Sequence, residues 1–203
     1  MESIYRKLLD ATTELMNEKG YHGTSIQMIA DKVGVSKSTI FYHFKNKEGI
    51  LLAILEDFVP PAVNALMLVA KNNELTGTEK LIEFIRLHMC HVETSGDVLR
   101  LYLRESRFFG PENREIYKES QRTYANLLID IIRQIQKDNK QALKGFDPKV
   151  VGYSILGMCN STVVWFNKNG KIGFDELAKE IYRMLSESLD PQDPNQGEQH
   201  KPS

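Results

Sequence analysis

The chain has 203 residues, and its 26 lysine and arginine residues nearly balance its 27 aspartate and glutamate residues. Hydrophobic residues make up 41% of the chain and charged residues 26%, which is typical of a globular protein with a hydrophobic core. This composition excludes a disordered chain, a collagen and a disulfide-stabilised miniprotein. The net charge of −1 argues against a protein that coats nucleic acid without specificity.

The sequence predicts neither a membrane segment nor export from the cell. Apolar runs such as Ile50–Leu55 are far shorter than the roughly 20 residues of a membrane helix, so we expect no membrane partner. The N-terminus has no charged segment followed by an apolar one, as a secretion signal would have. The two cysteines form no C-x-x-C motif and fit a reducing cytoplasm, where we expect the protein.

The N-terminal segment has apolar residues at helical spacing and no run of strict alternation that would indicate a strand. A first helix is predicted from about residue 4 to Gly20, since glycine is a frequent residue at helix ends. Thr24–Gln27 reads as a capping box that begins a second helix, and Gly34 ends that helix.

Two more helices follow before the chain reaches its first prolines. Ser36 is expected to cap a short third helix that buries Ile40, Phe41 and Phe44. Asn46 is expected to cap a fourth helix, which Pro60-Pro61 would end or kink because proline removes a backbone donor.

The remainder of the chain is also predicted to be helical, so the fold class is all-α. We expect helices at about 61–73, 78–94, 97–107, 111–138, 148–168 and 174–188. Thr76–Glu79 reads as a capping box, and Pro148 behind Asp147 suits the first turn of a helix. Apolar residues vanish from residue 190 on, so 190–203 is expected to be a disordered tail.

The segment 24–47 carries the strongest functional signal. If the third helix buries its apolar side, its opposite side presents hydrogen-bonding and cationic side chains, namely Lys37, Ser38, Thr39, Tyr42 and His43. Short side chains at the start of a helix can reach base edges in a major groove about 12 Å wide. Four lysines and no acidic residue lie within 32–47. Lys47 begins a helix, where backbone N–H groups favour a phosphate.

Residues 23–48 resemble the DNA-binding signature of the TetR family of bacterial repressors in their cap, turn, aromatic triplet and closing Asn-Lys-Glu. The resemblance extends from the N-terminus to about Leu55, and the rest of the chain is similar to the family in length and helix count. It implies an all-helical homodimer with a three-helix DNA-binding domain at 1–47. A helical domain at 48–189 would bind a small molecule and dimerise through 148–168 and 174–188.

The resemblance also implies which residues meet double-stranded operator DNA. Thr24, Ser36 and Ser38 would meet phosphates or groove edges. Lys37 and Thr39 would point towards bases, and Tyr42, His43 and Lys47 would hold the DNA backbone.

Large and polar side chains after residue 57 are candidates for an effector site. Those predicted to bind a ligand are Phe58, Phe84, Tyr102, Arg104, Arg107, Phe108, Tyr124, Asn160 and Trp165. Aromatic side chains at helical spacing usually form plain core, and Asn160 could instead hydrogen-bond across a dimer seam. The two arginines could form surface ion pairs or hold an anionic headgroup.

His88 and His91 lie on one helix but nothing nearby completes a metal site, so we expect no metal and no cofactor.

These features favour a dimeric, ligand-responsive transcriptional repressor. The segment 104–112 and the pattern Gly157…Asn160…Trp165 are loosely similar to the TetR regulators that sense acyl-CoA thioesters, so an acyl-CoA is the first choice of effector. The alternative is a multidrug-type regulator that senses aromatic or cationic compounds.

An enzyme is not expected, because the sequence lacks G-x-S-x-G, H-E-x-x-H and a glycine-rich phosphate loop. A helical adaptor that uses the same segment on protein partners is a third class.

Overall fold

The structure is a computed structural model that describes residues 3–105, 108–167 and 169–189. Within these ranges the chain forms eight α-helices and no strand, which confirms the all-α prediction. The helices are α1 Ile4–Gly23, α2 Ile26–Val33, α3 Lys37–His43, α4 Lys47–Lys71, α5 Gly77–Glu105, α6 Pro111–Asp138, α7 Pro148–Trp165 and α8 Phe174–Leu189. The predicted disordered tail, 190–203, lies outside the described residues.

The starts of α5 and α7 confirm the predicted caps. The Thr76 hydroxyl oxygen accepts a hydrogen bond from the Glu79 N–H at 3.2 Å, and the Glu79 carboxylate accepts one from the Thr76 N–H at 2.8 Å. The latter bond lowers the pKa of Glu79. Asp147 accepts from the Lys149 N–H at 2.7 Å, with Pro148 in the first turn of α7.

Helix α2 begins after Ser25, so the predicted capping box at Thr24 is wrong. The Ser25 hydroxyl oxygen accepts a hydrogen bond from the Met28 N–H at 3.2 Å. The Thr24 side chain is only 1% exposed and donates to the Gly20 carbonyl at 2.9 Å. Gly20 has φ 74° and ψ 170° and interrupts α1, which makes its carbonyl available to Thr24.

Helix α4 runs through Pro60-Pro61, so the predicted end of the helix there is wrong. The two prolines lack N–H groups, which leaves the carbonyls of Glu56 and Asp57 without helical donors. All four residues are exposed, so water can bind those carbonyls and the helix continues.

Helix α4 is also the one described helix that is long and apolar enough, by length and composition, to span a membrane. The core helix of a soluble protein can pass the same test. Helix α4 contributes several buried side chains, namely Ile50, Leu51, Ile54, Leu55 and Leu66. The absence of a membrane partner therefore stays a prediction.

The predicted helices 78–94 and 97–107 form one helix, α5. Only Ser95 departs from helical geometry, with φ −140° and ψ 27°. A deviation at a single residue bends a helix without separating it into two elements. The last two residues of the second predicted helix, 106–107, lie outside the described residues.

The chain divides into two compact units. The first comprises the chain up to Ala65 together with His91–Thr123 and Val163–Trp165. Its fully buried side chains include Leu8, Met16, Ile29, Ile40, Leu51 and Phe109. The second comprises Leu66–Cys90, Tyr124–Thr162 and the described residues from Phe166 on. Its fully buried side chains include Leu81, Phe84, Ile85, Leu128 and Ile132.

The close approach of α5 to α6 in the second unit requires glycine at residue 77. A Cβ atom on Gly77 would lie 2.8 Å from the Ile135 backbone nitrogen. We expect Gly77→Ala to lower the free energy of unfolding by about 1–3 kcal/mol, because the helices must separate. Gly96→Ala in the same helix is the control, since its Cβ would meet nothing within 4 Å. Denaturant unfolding of both variants tests this, and equal stabilities would contradict it.

Candidate nucleic-acid interface and effector region

The turn between α2 and α3 has the geometry of a helix-turn-helix. Gly34 ends α2 with φ 75° and ψ 36°, the left-handed conformation that favours glycine. The N–H groups of Gly34 and Val35 both donate to the Ala30 carbonyl, at 2.9 and 3.0 Å. Ser36 then caps α3 as predicted, accepting a hydrogen bond from the Thr39 N–H at 3.2 Å.

Helix α3 is amphipathic, with one narrow buried side. Ile40 and Phe44 are buried, and they lie four residues apart on the same side of the helix. Phe41 is 52% exposed, so its predicted burial is wrong. One residue after Ile40, it is rotated by about 100° from the buried side. Tyr42 is 85% exposed.

The exposed side of α3 begins with a cluster of hydroxyl groups. The Ser36 hydroxyl oxygen lies 2.6 Å from that of Ser38 and 2.9 Å from that of Thr39. These contacts fix the three short side chains at the first turn of α3, and Lys37 is exposed beside them.

Two lysines of this segment carry charge that no acidic side chain neutralises within the described ranges. Lys32 pairs with Glu14 of α1 at 2.7 Å. Among the described residues, neither Lys37 nor Lys45 forms an ion pair, and both are exposed. Such lysines can neutralise DNA phosphates.

Aromatic contacts support the end of α3. The rings of Tyr42 and His43 meet edge to face at 5.0 Å, and His43 also meets Tyr5 of α1 at 5.9 Å. Tyr5 in turn stacks on Phe44 at 5.1 Å. Sequence reasoning missed Tyr5, because its contacts lie two helices further along the chain.

Two of the residues predicted to bind DNA direct their side chains into the protein. Thr24 is buried, as described above. The Lys47 ammonium donates to the carbonyls of Tyr21 and Thr24, the latter at 2.7 Å, and lies 4.2 Å from the centre of the Tyr21 ring. Burial lowers the pKa of Lys47, and the Glu105 carboxylate opposes that shift. In this arrangement Lys47 stabilises the turn before α2.

Two of the predicted effector residues, Phe58 and Tyr102, belong to an aromatic cluster in the first unit. Their ring centres lie 6.3 Å apart, and Phe58 also meets His91 at 6.1 Å. Tyr102 meets Tyr117 at 4.4 Å. Burial lowers the pKa of His91.

A small cleft of about 80 Å³ adjoins Phe58 in the first unit. Its apolar lining includes Leu9, Ile54 and Val98, and its charged lining consists of Arg6, Asp10 and Asp57. Arg6 pairs with both carboxylates at 3.2 Å.

Phe84 and Tyr124 lie together in the second unit, with ring centres 5.7 Å apart. His88, which was not predicted as an effector residue, joins them, and its Nδ1 lies 3.0 Å from the Tyr124 hydroxyl. Burial raises the pKa of Tyr124, and it raises the pKa of the buried Cys159 thiol to about 12. Cys90, by contrast, is exposed. His88 is a buried polar residue among the buried apolar residues of α5, and that pattern in the sequence could have identified it.

The other predicted effector residues lie elsewhere. Arg104 and Phe108 contact α1: the Arg104 guanidinium donates to Met16 and Asn17 carbonyls, and Phe108 stacks on Tyr21 at 5.4 Å. Arg107 lies outside the described residues. Asn160 is half-buried on α7, and Trp165 at its end is 60% exposed.

Comparison with known protein families covers both halves of the chain. The family described as "Bacterial regulatory proteins, tetR family" matches residues 8–54. The family described as "Tetracyclin repressor-like, C-terminal domain" matches residues 74–189, more than half of the chain.

Individual proteins are similar over nearly the whole length. The fatty acid metabolism regulator protein of Bacillus subtilis (strain 168) is 29% identical over 188 residues, which cover 89% of this chain and 93% of that protein. The TetR family regulator PfmR from Thermus thermophilus has a TM-score of 0.80 at 25% identity, covering 90% of this chain and 98% of its own.

AibR, solved in complex with isovaleryl coenzyme A and operator DNA, shares the fold with a TM-score of 0.77 at 24% identity. The similarity covers 89% of this chain and 97% of AibR. With both of its segments matched, this chain belongs to the TetR family, whose members are DNA-binding transcriptional regulators and not enzymes.

Proposed function

We propose that this protein is a dimeric repressor that binds a palindromic operator and is released from it by a largely apolar small molecule, with an acyl-CoA thioester as first choice. The observation that carries the proposal is the exposed side of α3, where Lys37, Ser38 and Tyr42 project from a helix held by the Gly34 turn. We assign base contacts to Lys37 and Thr39 and backbone contacts to Ser36, Ser38, Tyr42 and His43.

The side chains of Thr24 and Lys47 take a different part in this proposal. The Lys47 ammonium binds the Thr24 carbonyl, and the Thr24 hydroxyl binds the Gly20 carbonyl, so we assign both residues to the shape of the turn before α2. Replacing either would then disturb DNA binding through that turn.

The proposed dimer uses an exposed stripe on α7. Val151, Ile155 and Val163 are buried within the chain, whereas Val150 and Val164 are exposed. Tyr153 and Gly157 are also exposed, so the stripe recurs at intervals of three, four and seven residues, the spacing of one face of a helix. A second copy of α7 can cover such a stripe through a two-fold axis. The same axis would relate the two α3 helices and hence two operator half-sites.

The proposed effector rests on the relatives and on the aromatic interior. The Bacillus subtilis relative is a fatty acid metabolism regulator, and AibR was solved with isovaleryl coenzyme A. In the second unit, the fully buried Phe84 ring packs beside Tyr124, whose hydroxyl lies 3.0 Å from Nδ1 of His88. An acyl chain that displaced part of this packing would meet apolar side chains and one hydroxyl that can bind its thioester carbonyl.

A flat aromatic or cationic effector is the second candidate. It is favoured by the cluster of Phe58, Tyr102 and Tyr117 in the first unit, because aromatic faces attract aromatic and cationic groups. Arg104, which could hold an anionic headgroup according to the sequence, donates hydrogen bonds to carbonyls of α1.

For DNA binding, we predict different effects at two positions of α3. Tyr42→Phe should weaken binding by about 1 kcal/mol for every operator sequence, because it removes one backbone hydrogen bond. Lys37→Ala should change the preferred sequence. Selection from a random DNA pool, followed by gel-shift titration, measures both. Lys140→Ala is the control for loss of a lysine, since Lys140 is exposed between α6 and α7. Wild-type binding by both α3 variants would contradict the assignment.

For assembly, we predict that Val164→Asp yields monomers that no longer bind the selected operator. The introduced charge would have to be buried without a partner in the α7 seam. Ile116→Asp is the matched control, since Ile116 is exposed on α6. Light scattering distinguishes the states, and a wild-type monomer at micromolar concentration would contradict the proposed dimer.

For the effector, we predict that acyl-CoA thioesters release the preformed operator complex with a potency that depends on chain length. An effector can shift the equilibrium only by its difference in affinity for the two states. Fluorescence anisotropy of labelled operator measures release, and free coenzyme A is the control. Release only by a planar or cationic compound would favour the second candidate.

A further inference from the structure

The broken end of α1 presents a concentration of backbone carbonyl groups. Carbonyls in the last turn of a helix lack intrahelical donors and carry the negative end of the helix dipole. Gly20 interrupts α1 there, and the chain then makes one further turn before Ser25 begins α2. The direction in which the chain leaves α1 therefore depends on what binds these carbonyls.

Side chains from three places in the chain bind them. The Thr24 hydroxyl donates to the Gly20 carbonyl at 2.9 Å, and Lys47 donates to the carbonyls of Tyr21 and Thr24. Arg104, near the end of α5, donates from Nη2 to the Met16 carbonyl and from Nη1 to the Asn17 carbonyl.

Both cations interact electrostatically with one buried carboxylate. Glu105 is only 2% exposed, and its Oε1 accepts from the Arg104 Nε at 2.6 Å. Its negative charge also favours the charged form of Lys47. The Glu105 carboxylate stabilises two cations that face the same set of carbonyls. In return, the two cations offset the cost of burying the carboxylate.

Neighbouring contacts also join α1 to α5 and to Phe108, which follows α5. The Asn17 amide donates to the Asp97 carbonyl of α5 at 2.9 Å. Phe108 stacks on Tyr21 and meets His22 edge to face at 4.4 Å. Arg104 is thus the charged member of a continuous contact between α1 and the end of α5.

We propose that Arg104 and Glu105 are positioning residues for operator binding: they hold the broken end of α1 in the arrangement that presents α3 to DNA, and they touch neither DNA nor effector. This inference rests on the proposed DNA-binding function. It assigns Arg104 to the support of α1, and not to the predicted contact with an anionic headgroup of the effector.

The test compares Arg104→Ala, Arg104→Lys and Glu105→Gln with wild type on the selected operator over a range of salt concentrations. We expect Arg104→Ala to weaken binding by about tenfold, the size of one lost charge-assisted hydrogen bond, with an unchanged slope against salt. A direct phosphate contact would instead reduce the slope by about 0.9. Arg104→Lys should restore part of the affinity, because it keeps the positive charge but lacks the planar guanidinium that bonds the two carbonyls and Glu105 at the same time.

One further measurement separates positioning from general loss of stability. Amide hydrogen exchange should rise at 20–25 in Arg104→Ala and remain unchanged in α7. Arg133→Ala is the control, since Arg133 is an exposed arginine paired only with Asp130 among the described residues. It should match wild type in both experiments. Glu105→Gln should weaken binding in the same direction as Arg104→Ala.

Each alternative outcome has a distinct meaning. Wild-type affinity in Arg104→Ala, with loss of release by acyl-CoA, would overturn the inference in favour of an effector contact. A reduced salt slope would overturn it in favour of a DNA contact. Failure of wild type to select any DNA sequence would overturn the proposed function itself.

Discussion

Backbone carbonyls at a helix end need hydrogen-bond donors, and this need organises the N-terminal helices of the first unit. Gly20 interrupts α1 and exposes such carbonyls, and donors arrive from Thr24, Lys47 and Arg104. One set of acceptors thus brings the starts of α2 and α4 and the end of α5 to one place. Helix α3 follows this junction through α2, while its own stability comes from a local cap and from the burial of Ile40.

Most of the helix caps, which depend on neighbouring residues, could be predicted from the sequence; the capping box at Thr24 is the exception. Ser36, Thr76 and Asp147 each cap the helix that was expected, because a cap needs only a side-chain oxygen and an N–H two or three residues away. Gly34 adopts the left-handed conformation that the turn demands. For the same reason the helical class of the fold and the exposed polar side of α3 could be predicted.

Features that depend on partners far away in the sequence could not be predicted from it. Lys47 reads as a phosphate ligand from its place at a helix start, yet its partners lie 23 and 26 residues earlier. Arg104 reads as an anion-binding residue, and its acceptors lie 87 and 88 residues away. Pro60-Pro61 indicates a helix end or a kink, and α4 continues there because water can bind the exposed carbonyls before the two prolines. For Lys47 and Arg104 the sequence shows the chemistry of the side chain, but it does not show which carbonyls that side chain will bind.

The contrast between the two cysteines makes them chemically distinguishable. The thiolate is the reactive form of cysteine, and Cys159 is buried with its pKa raised to about 12, whereas Cys90 is exposed. A maleimide dye at neutral pH would therefore attach to Cys90 alone, without any engineered substitution. The natural chain thus provides one labelling position on α5, outside the DNA-binding segment, at which optical spectroscopy can follow the protein.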